Sequence, residues 1–515
     1  MAIRVACVGG GPGGLFFSTL LKRARPDIEV VLIERNRPTD AFGFGVVFSD
    51  RTLQRIDDAD PVLHDALARY GVHWDAIAVA LKGETHTFAG NGMAAVHRRV
   101  LLRELQGSAA DAGVDLRFGT EVRSLDELSD FDVVVGADGA NSRIRDMFEP
   151  ELGSTVETAV AKFIWFGTTH LFDGLTFLHR KNEHGNFAAH AYPISDELST
   201  FIVETDERTW RAAGLDAFDM STPPGASDDV TRRYLERLFA DDIHGAELVG
   251  NNSRWGNFRT RRTEKWHSGN VVLLGDAVHT AHFSVGSGTK MAMEDAIVLA
   301  RELAAPEVDV RAAFERFEEE RRPEVERIQN AAGPSLSWWE NFGRYYDALD
   351  PLEFAFHFFS RSIDIERVRR RDPHLAEAVD DAWRREHGAP PLESPLDLGA
   401  VRVTDRRLRL VDDAPARLSD AADTTLEEGV QLEALEAPVD ERAAAEVSPS
   451  TAAPVVLVHG GTATTRTLVA ERARLEAGRV VVILDDDLDD AAAATLILSG
   501  RADAVAKRER SHATA

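Results

Sequence analysis

The stretch "IRVACVGGGPGGLFFSTLLKRARPDIEVVLIERN", residues 3–36, runs from an apolar segment through a glycine-rich turn and a helix-compatible segment to a second apolar segment. This pattern predicts a strand, a tight turn, a helix and a strand. In such a unit Gly9 makes the turn, Gly11 lets a pyrophosphate approach the backbone, and Gly14 lets helix and strand pack closely. Glu34 follows the second strand, where a carboxylate accepts hydrogen bonds from ribose hydroxyls. We therefore predict a bound dinucleotide rather than a merely structural turn, although this unit alone suits NAD and FAD equally.

The composition is that of a large, acidic, globular protein. A length of 515 residues suggests two to four compact units. No apolar run approaches the roughly 18 residues of a membrane span. The 59 basic and 86 acidic residues give a net charge of −27, which argues against a nucleic-acid binder or a binder of anionic membranes. Cys7 is the single cysteine, which fits a reducing compartment. The first residues form an apolar strand pattern without the basic region and cleavage site of a signal peptide, so we expect a cytoplasmic location.

Two further stretches repeat the arrangement of an apolar strand that ends in an aspartate. "DFDVVVGADGANSRIRDMF", residues 130–148, places Asp138 before a glycine, and "GNVVLLGDAVHTAHFSVGSGTKMAMEDAIVLARELA", residues 269–304, places Asp276 after one. In the second stretch a loop precedes a helix that is expected to start near Gly288. The free amides of that helix N-terminus would suit a negatively charged group of a ligand.

These three motifs, in this order, resemble those of the FAD-dependent aromatic hydroxylases, the single-component flavoprotein monooxygenases of the para-hydroxybenzoate hydroxylase type. The resemblance covers about residues 2–370. It implies an α/β fold: a Rossmann-like FAD-binding domain with an antiparallel-sheet substrate domain, to which we add a small C-terminal α/β appendage. It also implies FAD as cofactor, with NADH or NADPH and O2 as co-substrates that act through a flavin C4a-hydroperoxide. The residues predicted to bind the cofactor are Gly9, Gly11, Gly14, Glu34, Arg35, Arg98, Asp138, Asp276, Gly286, Gly288 and Thr289.

Two stretches narrow the resemblance to a subgroup. "AFGFGVVFSD", residues 41–50, and "HTAHFSVGSGTKMAMEDA", residues 279–296, are similar to the salicylyl-CoA 5-hydroxylases and the hydroxylase halves of anthraniloyl-CoA monooxygenases, with the former closer. The resemblance implies hydroxylation of salicylyl-CoA at C5 to give gentisyl-CoA. Anthraniloyl-CoA or a free phenolic acid is an alternative substrate. A second alternative is a non-catalytic flavin-binding module that senses redox state.

Candidate catalytic residues come from the middle of the chain. Residues 161–205 alternate apolar and aromatic residues with polar ones, which predicts antiparallel strands. Within them "FAAHAYP" places His190 and Tyr192 two residues apart, on one face of a strand. Hydroxylation of a phenol needs a base near its hydroxyl, so these two residues and His282 are our catalytic candidates. Buried structural roles for His190 and Tyr192 remain an equal alternative. We find no cluster with the spacing of metal ligands and predict no metal.

A coenzyme A substrate would bring phosphates to an acidic protein, and local arginines must offset the repulsion. Two basic segments are candidates, "FRTRRTEKW" at residues 258–266 and "IERVRRRD" at residues 365–372, and the sequence does not choose between them. The candidate phosphate ligands are Arg259, Arg261 and Arg262 in the first segment, and Arg367, Arg369, Arg370 and Arg371 in the second.

The predicted organisation has five parts. The FAD-binding domain is expected to be discontinuous, and an acidic segment with few large apolar residues reads as a linker. We expect a monomer or a homodimer. The predicted boundaries are 1–155 with 256–310 for the FAD-binding domain, 156–255 for the substrate sheet, 311–410 for a helical region, 411–452 for the linker and 453–515 for the α/β appendage.

Overall fold

The computed structural model describes residues 3–49, 53–218, 225–283, 288–398, 401–413, 416–420, 422 and 431–509. The chain divides into two compact units, Met1–Ala78 with Asn91–Glu340, and Val79–Gly90 with Asn341–Ala515. No helix of the described ranges is long and apolar enough to cross a membrane.

The strands are β1 (Arg4–Val8), β2 (Glu29–Glu34), β3 (Gly45–Ser49), β4 (Val72–Trp74), β5 (Ile77–Leu81), β6 (Glu84–Phe88), β7 (Met93–His97), β8 (Asp115–Phe118), β9 (Val133–Gly136), β10 (Ser154–Thr168), β11 (Leu175–Asn182), β12 (Gly185–Pro193), β13 (Ser199–Thr205), β14 (Leu248–Gly250), β15 (Gly256–Thr263), β16 (His267–Ser268), β17 (Val271–Leu273), β18 (Leu396–Leu398), β19 (Val401–Val403), β20 (Arg407–Asp413), β21 (Ala416–Ser419), β22 (Leu432–Ala437), β23 (Val455–Gly460), β24 (Val480–Leu484) and β25 (Ala504–Arg508).

The helices are α1 (Pro12–Ala24), α2 (Gln54–Ala59), α3 (Val62–Tyr70), α4 (Arg98–Ala112), α5 (Arg143–Met147), α6 (Glu149–Leu152), α7 (Glu207–Ala212), α8 (Asp229–Leu238), α9 (Gly288–Leu303), α10 (Val310–Ala348), α11 (Pro351–Phe359), α12 (Ile365–Arg371), α13 (Pro373–His387), α14 (Glu441–Glu446), α15 (Ala463–Leu475) and α16 (Asp490–Leu498).

The first unit contains a six-stranded sheet in the order β16-β17-β9-β1-β2-β8, parallel except at β16. Strands β1, β2 and β9 are nearly continuous apolar runs, because a parallel sheet covered on both faces has no solvent side. The carboxyl ends of β1, β2, β9 and β17 meet at one edge. In parallel sheets this edge is where ligands bind, so the three sequence motifs converge there.

The same unit contains an antiparallel sheet in which β14, β10, β13, β12 and β11 lie side by side, with β15 also paired to β10. Strand β12 is buried along nearly its whole length and β13 along all of it. Strands buried on both faces are expected where a second layer covers each face. The predicted class, a Rossmann-like domain with an antiparallel sheet, is thus the observed one.

The second unit contains a sheet in the order β21-β20-β25-β24-β23-β22, parallel from β20 to β22. Part of residues 411–452, predicted to be an acidic linker, contributes to it. In "LEALEA", residues 432–437, Glu433, Leu435 and Ala437 are buried, whereas Ala434 and Glu436 are exposed. One face of β22 therefore packs on the core, although it carries one of the two acids. The acidic composition of residues 411–452 thus conceals a strand.

Candidate active site

The glycine turn after β1 has the geometry that the sequence predicts. Gly9 has φ +120°, and a Cβ there would lie 2.2 Å from the carbonyl oxygen of Ala137. A Cβ on Gly14 would lie 2.1 Å from the carbonyl oxygen of Gly9, whereas a Cβ on Gly11 would meet nothing within 4 Å. Two glycines are thus required by packing, and the third leaves open space at the N-terminus of α1. Free helix amides beside such space form a binding site for a pyrophosphate.

Glu34 closes this turn at the end of β2. Its Oε2 accepts from the Gly10 amide at 2.7 Å, and its Oε1 accepts from the backbone and side-chain nitrogens of Asn36, both at 2.7 Å. A carboxylate accepts about four hydrogen bonds, so capacity remains for a ribose hydroxyl. Arg35, the neighbouring predicted ligand, has an exposed side chain.

Asp138 lies at the carboxyl end of β9 and holds the following loop. Its Oδ1 accepts from the Ser142 hydroxyl at 2.5 Å, and its Oδ2 accepts from the amides of Arg143 at 2.7 Å and Ile144 at 3.3 Å. The carboxylate therefore stabilises the start of α5. A direct contact between Asp138 and the cofactor stays a prediction.

Arg98 and Asp276 come close together although 178 positions separate them. Buried Nε of Arg98 has no hydrogen-bond partner among the described residues. Burial lowers the pKa of Arg98, while Tyr192 and Asp276 raise it. Asp276 is open to solvent, yet protein surrounds it enough that desolvation raises its pKa, against the opposing charges of His279 and Arg98. An exposed carboxylate beside a buried donor that lacks a partner fits a polar cofactor, and we call this place the cofactor cleft.

Helix α9 begins beside this cleft. A Cβ on Gly288 would lie 3.9 Å from Oδ1 of Asp276, and Thr289 follows, half-buried. Gly286, the third predicted ligand of this loop, lies outside the described residues. The N-terminus of α9 consequently directs its positive pole towards the space beside Asp276, where the sequence predicts a ligand.

His279 belongs to a buried network behind the cleft. Its Nε2 lies 2.8 Å from Oδ2 of Asp295, which also accepts from the Gly275 amide at 2.9 Å. Asp295 Oδ1 accepts from Nε of Arg321 at 2.9 Å. Burial opposes ionisation of Asp295, but His279 and Arg321 outweigh it and lower the pKa to about 2. The network fixes the loop that carries Asp276, which is a positioning role for His279.

The antiparallel sheet presents one face whose members follow from the strand register. Residues directly opposite in neighbouring strands share a face, as do residues two apart in one strand. His190 pairs with Phe177 and Ile202, and Glu204 pairs with Ala188 and Phe163. The face therefore includes Phe163 and Trp165 on β10, Phe177, His179 and Lys181 on β11, Asn186, Ala188, His190 and Tyr192 on β12, and Thr200, Ile202 and Glu204 on β13.

His190 lies at the centre of this face in an aromatic surrounding. Its ring centroid is 4.2 Å from that of Trp339, 4.8 Å from that of Phe177 and 5.7 Å from that of Phe283. Its Nε2 lies 2.7 Å from Oε1 of Glu204, although the two atoms are not aligned for a linear hydrogen bond. Both side chains are buried. The arrangement is a titratable pair in a pocket from which aromatic rings exclude water.

The other two catalytic candidates flank this pair. The ring of His282 stacks on Phe283 at 4.4 Å, and its charge stabilises ionised Glu204. Tyr192 lies nearer the cofactor cleft: burial raises its pKa to about 12, and Arg98 opposes this. A Cβ on Gly45 would lie 3.1 Å from Cε2 of Tyr192, so the stretch at residues 41–50 packs on this end of the sheet face.

Sequence reasoning missed Glu204 as a site residue. Its available signal was a single acid in the otherwise uncharged strand "STFIVET", residues 199–205, because a buried charge is costly and usually has a function. The ring of Trp339 also reaches this face and contacts His190 and His179.

The first arginine cluster lies on β15, where successive side chains point to opposite faces of the strand. Arg259 and Arg261 share one face, and Arg262 points to the other. Nη2 of Arg259 donates to Oδ1 of Asn141 at 2.9 Å, in the loop after β9. Burial lowers the pKa of Arg261, as does the nearby positive charge of Arg145. Arg259 and Arg261 thus form a basic patch at the loop that Asp138 holds.

The second cluster lies on α12, in the second unit. Arg369 is already paired, with Asp380 at 2.8 Å and with Glu366. Arg367 and Arg370 have exposed side chains, and Arg371 is half-buried. Arg367 and Arg370 are therefore the members of this cluster that are most accessible to a phosphate.

Comparisons with known proteins agree on the cofactor domain. A family model described as an FAD binding domain matches residues 2–332. A salicyloyl-CoA 5-hydroxylase from Streptomyces is 55% identical over 524 aligned residues, which cover 98% of this chain and 99% of that protein. A 3-hydroxy-4-methyl-anthranilyl-[aryl-carrier protein] 5-monooxygenase from Streptosporangium sibiricum is 35% identical, covering 65% of this chain and 89% of its own.

Two solved structures share the fold. The probable FAD-dependent monooxygenase pqsL of Pseudomonas aeruginosa superimposes with a TM-score of 0.51 and 21% identity, covering 66% of this chain and 97% of its own. The tetrameric form of 2-methyl-3-hydroxypyridine-5-carboxylic acid oxygenase gives a TM-score of 0.51 and 20% identity, covering 70% and 98%. At these identities the likeness is one of architecture.

Proposed function

The chain belongs to the FAD-binding-domain family of flavoprotein monooxygenases, and from this premise we propose that it hydroxylates salicylyl-CoA at C5 to give gentisyl-CoA. FAD is the cofactor, and NAD(P)H and O2 are the co-substrates. The observation that carries the substrate is the 55% identity to a salicyloyl-CoA 5-hydroxylase across nearly the full length of both chains. Similarity restricted to the cofactor domain would support FAD binding only.

The residues of the cleft fit FAD. Open space at Gly11 admits a diphosphate, Glu34 keeps capacity for a ribose hydroxyl, and the buried Nε of Arg98 requires an acceptor. Asp276 would hold the sugar-alcohol chain beside the N-terminus of α9. When bound, FAD takes electrons from NAD(P)H and activates O2. The protein's own task is to hold the cofactor and substrate in place and to exclude water.

The sheet face supplies the other requirements of the reaction. Phe177, Phe283 and Trp339 form an apolar surrounding that suits an aromatic ring and keeps water away. A phenol reacts with electrophilic oxygen faster as its phenolate, so a group that accepts the phenol proton accelerates hydroxylation. His190 has the position and chemistry for this task, with Tyr192 near Arg98 and His282 near Glu204.

A steady-state assay tests the proposal. Purified FAD-loaded protein is mixed with NADH or NADPH and with salicylyl-CoA, anthraniloyl-CoA or free salicylate, and products are analysed by mass. We expect salicylyl-CoA to stimulate NAD(P)H oxidation about tenfold or more and to gain one oxygen atom. Equal stimulation by free salicylate would reject the thioester assignment. A flavin that no aromatic compound stimulates would favour the redox-sensing alternative.

The basic patch of Arg259 and Arg261 gives a second prediction. Replacing both with glutamine should raise KM for salicylyl-CoA about tenfold or more, because each arginine offers charge-assisted hydrogen bonds to a phosphate, while kcat should change little. Arg262→Gln is the matched control on the opposite face of the same strand and should leave KM within about twofold. An unchanged KM in the double variant would shift the assignment to Arg367 and Arg370.

A further inference from the structure

Glu204 is a buried carboxylate for which the fold alone provides no reason. Of the described residues that share its sheet face, it is the only acid, and the others near it are aromatic, aliphatic or imidazole side chains. Its side chain is 2% exposed, so the cost of losing hydration is nearly complete. A strand in this position would be more stable with an apolar residue, which points to a chemical task for the carboxyl group.

The groups that face Glu204 are imidazoles. His190 on β12 lies 2.7 Å away, and His282, in the loop before α9, stabilises its charge. His179 on β11 lies on the same face, and burial holds its pKa well below the ordinary value, so it remains neutral. The nearest members of β10 on this face are Phe163 and Trp165. Lys181, further along β11 on this face, has an exposed side chain, so the buried groups that face Glu204 are proton carriers.

Resting on the proposed function, we propose that Glu204 is a positioning residue that makes His190 the proton acceptor for the phenol of the substrate. As the phenol O–H bond breaks, His190 takes the proton, and its ring shares the resulting positive charge with the carboxylate of Glu204 through Nε2. The ring carbon that gains oxygen later loses its own proton as aromaticity returns, this proton neutralises the oxygen atom left on the oxygen donor, and the pair gives the stored proton back to the phenol oxygen. The step needs only the O2 and NAD(P)H of the proposed function.

The electrostatics of the site agree with this geometry. Burial raises the pKa of Glu204 to about 7, and the charge of His282 opposes the shift. A carboxyl group with such a pKa exchanges a proton near neutral pH, where an ordinary glutamate remains ionised. A carboxylate beside a catalytic imidazole also selects the tautomer and stabilises the imidazolium, as in other enzymes with this arrangement.

A titration without turnover tests the role of Glu204. FAD-loaded protein is saturated with salicylyl-CoA in the absence of NAD(P)H, and the phenolate absorbance of the bound ligand is followed against pH. In Glu204→Gln we expect the apparent pKa of the bound phenol to rise by about one unit or more, while the affinity for the ligand changes less than about threefold. Glu236→Gln is the matched control: Glu236 accepts from the Leu248 amide at 2.9 Å in the same unit, outside the sheet face, and should leave the titration unchanged.

A fall in the apparent pKa of the bound phenol would be as informative as a rise. If Glu204 only placed negative charge near the substrate, its removal would favour the phenolate and lower the apparent pKa of the phenol. A lowered or unchanged value would therefore overturn the proposal. If Glu204→Gln does not retain FAD, Glu204→Asp is used instead, because it keeps the charge at a greater distance from His190. The proposal then requires a smaller rise in the apparent pKa of the bound phenol.

The wild-type protein separates this inference from the proposed function. If wild-type protein does not hydroxylate salicylyl-CoA, the proposed function fails. If the wild type hydroxylates the thioester and Glu204→Gln titrates as the wild type does, the function stands and the role of Glu204 alone is rejected.

Discussion

Gly11→Ala is expected to lower the affinity for FAD by about 100-fold or more while the protein stays folded, which corresponds to roughly 3 kcal/mol of binding free energy. A Cβ at this position meets no atom of the protein within 4 Å, so the substitution introduces no clash in the fold itself. The methyl group would occupy the space at the N-terminus of α1, where a pyrophosphate must approach the backbone closely. Fluorescence titration of apoprotein with FAD measures the effect, and circular dichroism monitors the fold.

Gly107→Ala is the matched control for Gly11→Ala. Gly107 lies on the exposed side of α4, and its Cβ would also meet nothing within 4 Å. The same substitution there should leave FAD affinity unchanged and stabilise the helix by up to roughly 1 kcal/mol. If Gly11→Ala binds FAD as tightly as Gly107→Ala does, the pyrophosphate does not lie at this turn.

The cofactor half of the molecule could be predicted from sequence because its signals are local. Gly9 and Gly14 are required by contacts inside one turn, at Ala137 and at each other, and the flanking strands are continuous apolar runs. The motifs around Asp138 and Asp276 each follow one short strand. Parallel strands bring their carboxyl ends to one edge, so that separate stretches of sequence converge without any knowledge of side-chain contacts. The fold class and the family were predictable for this reason.

The sheet face could not be predicted to the same depth. His190 and Tyr192 were found because they share one strand, but the approach of Glu204 depends on the register between β12 and β13. A shift of one residue in that register would turn Glu204 to the other face, and the five residues between the strands, 194–198, contain no Gly or Asn pair that would identify the register from sequence. Trp339 reaches the same pocket from α10, which a pattern of helical spacing cannot reveal. Long-range pairing decides these contacts.

Residues 411–452 show a different limit of prediction from sequence. Composition over residues 411–452 favours a solvated linker, yet Leu432–Ala437 forms a strand that pairs with Val455–Gly460. Average charge hides such a strand, because a strand with one covered face needs only every second residue to be buried. In "LEALEA" the buried positions are Glu433, Leu435 and Ala437, so apolar and acidic residues do not alternate and the sequence pattern does not indicate the strand.

Arg321→Met is expected to destabilise the first unit by about 3–5 kcal/mol, because the substitution leaves buried carboxylates without their cation. The guanidinium is fully buried; it donates to Asp295 at 2.9 Å and to Glu294 at 3.3 Å, and it also pairs with Glu324. Denaturation by urea, followed by flavin fluorescence in FAD-loaded protein, measures the loss. Arg316→Met is the control: Arg316 is half-exposed and pairs with Glu302 at 2.6 Å, so its removal should cost less than about 1 kcal/mol.

The pH dependence of the Arg321→Met defect identifies its cause. In the wild type, the pKa of Asp295 is held at about 2, below its unfolded value, so the stabilisation is present above about pH 4 and is lost as the pH falls through the folded pKa. Without Arg321, burial raises the folded pKa of Asp295, and protonation removes the uncompensated charge at a higher pH. The stability difference between variant and wild type should therefore narrow between about pH 7 and about pH 4. A difference that stays constant over this range would mean that lost packing of the long arginine side chain, rather than an unbalanced buried charge, destabilises the protein.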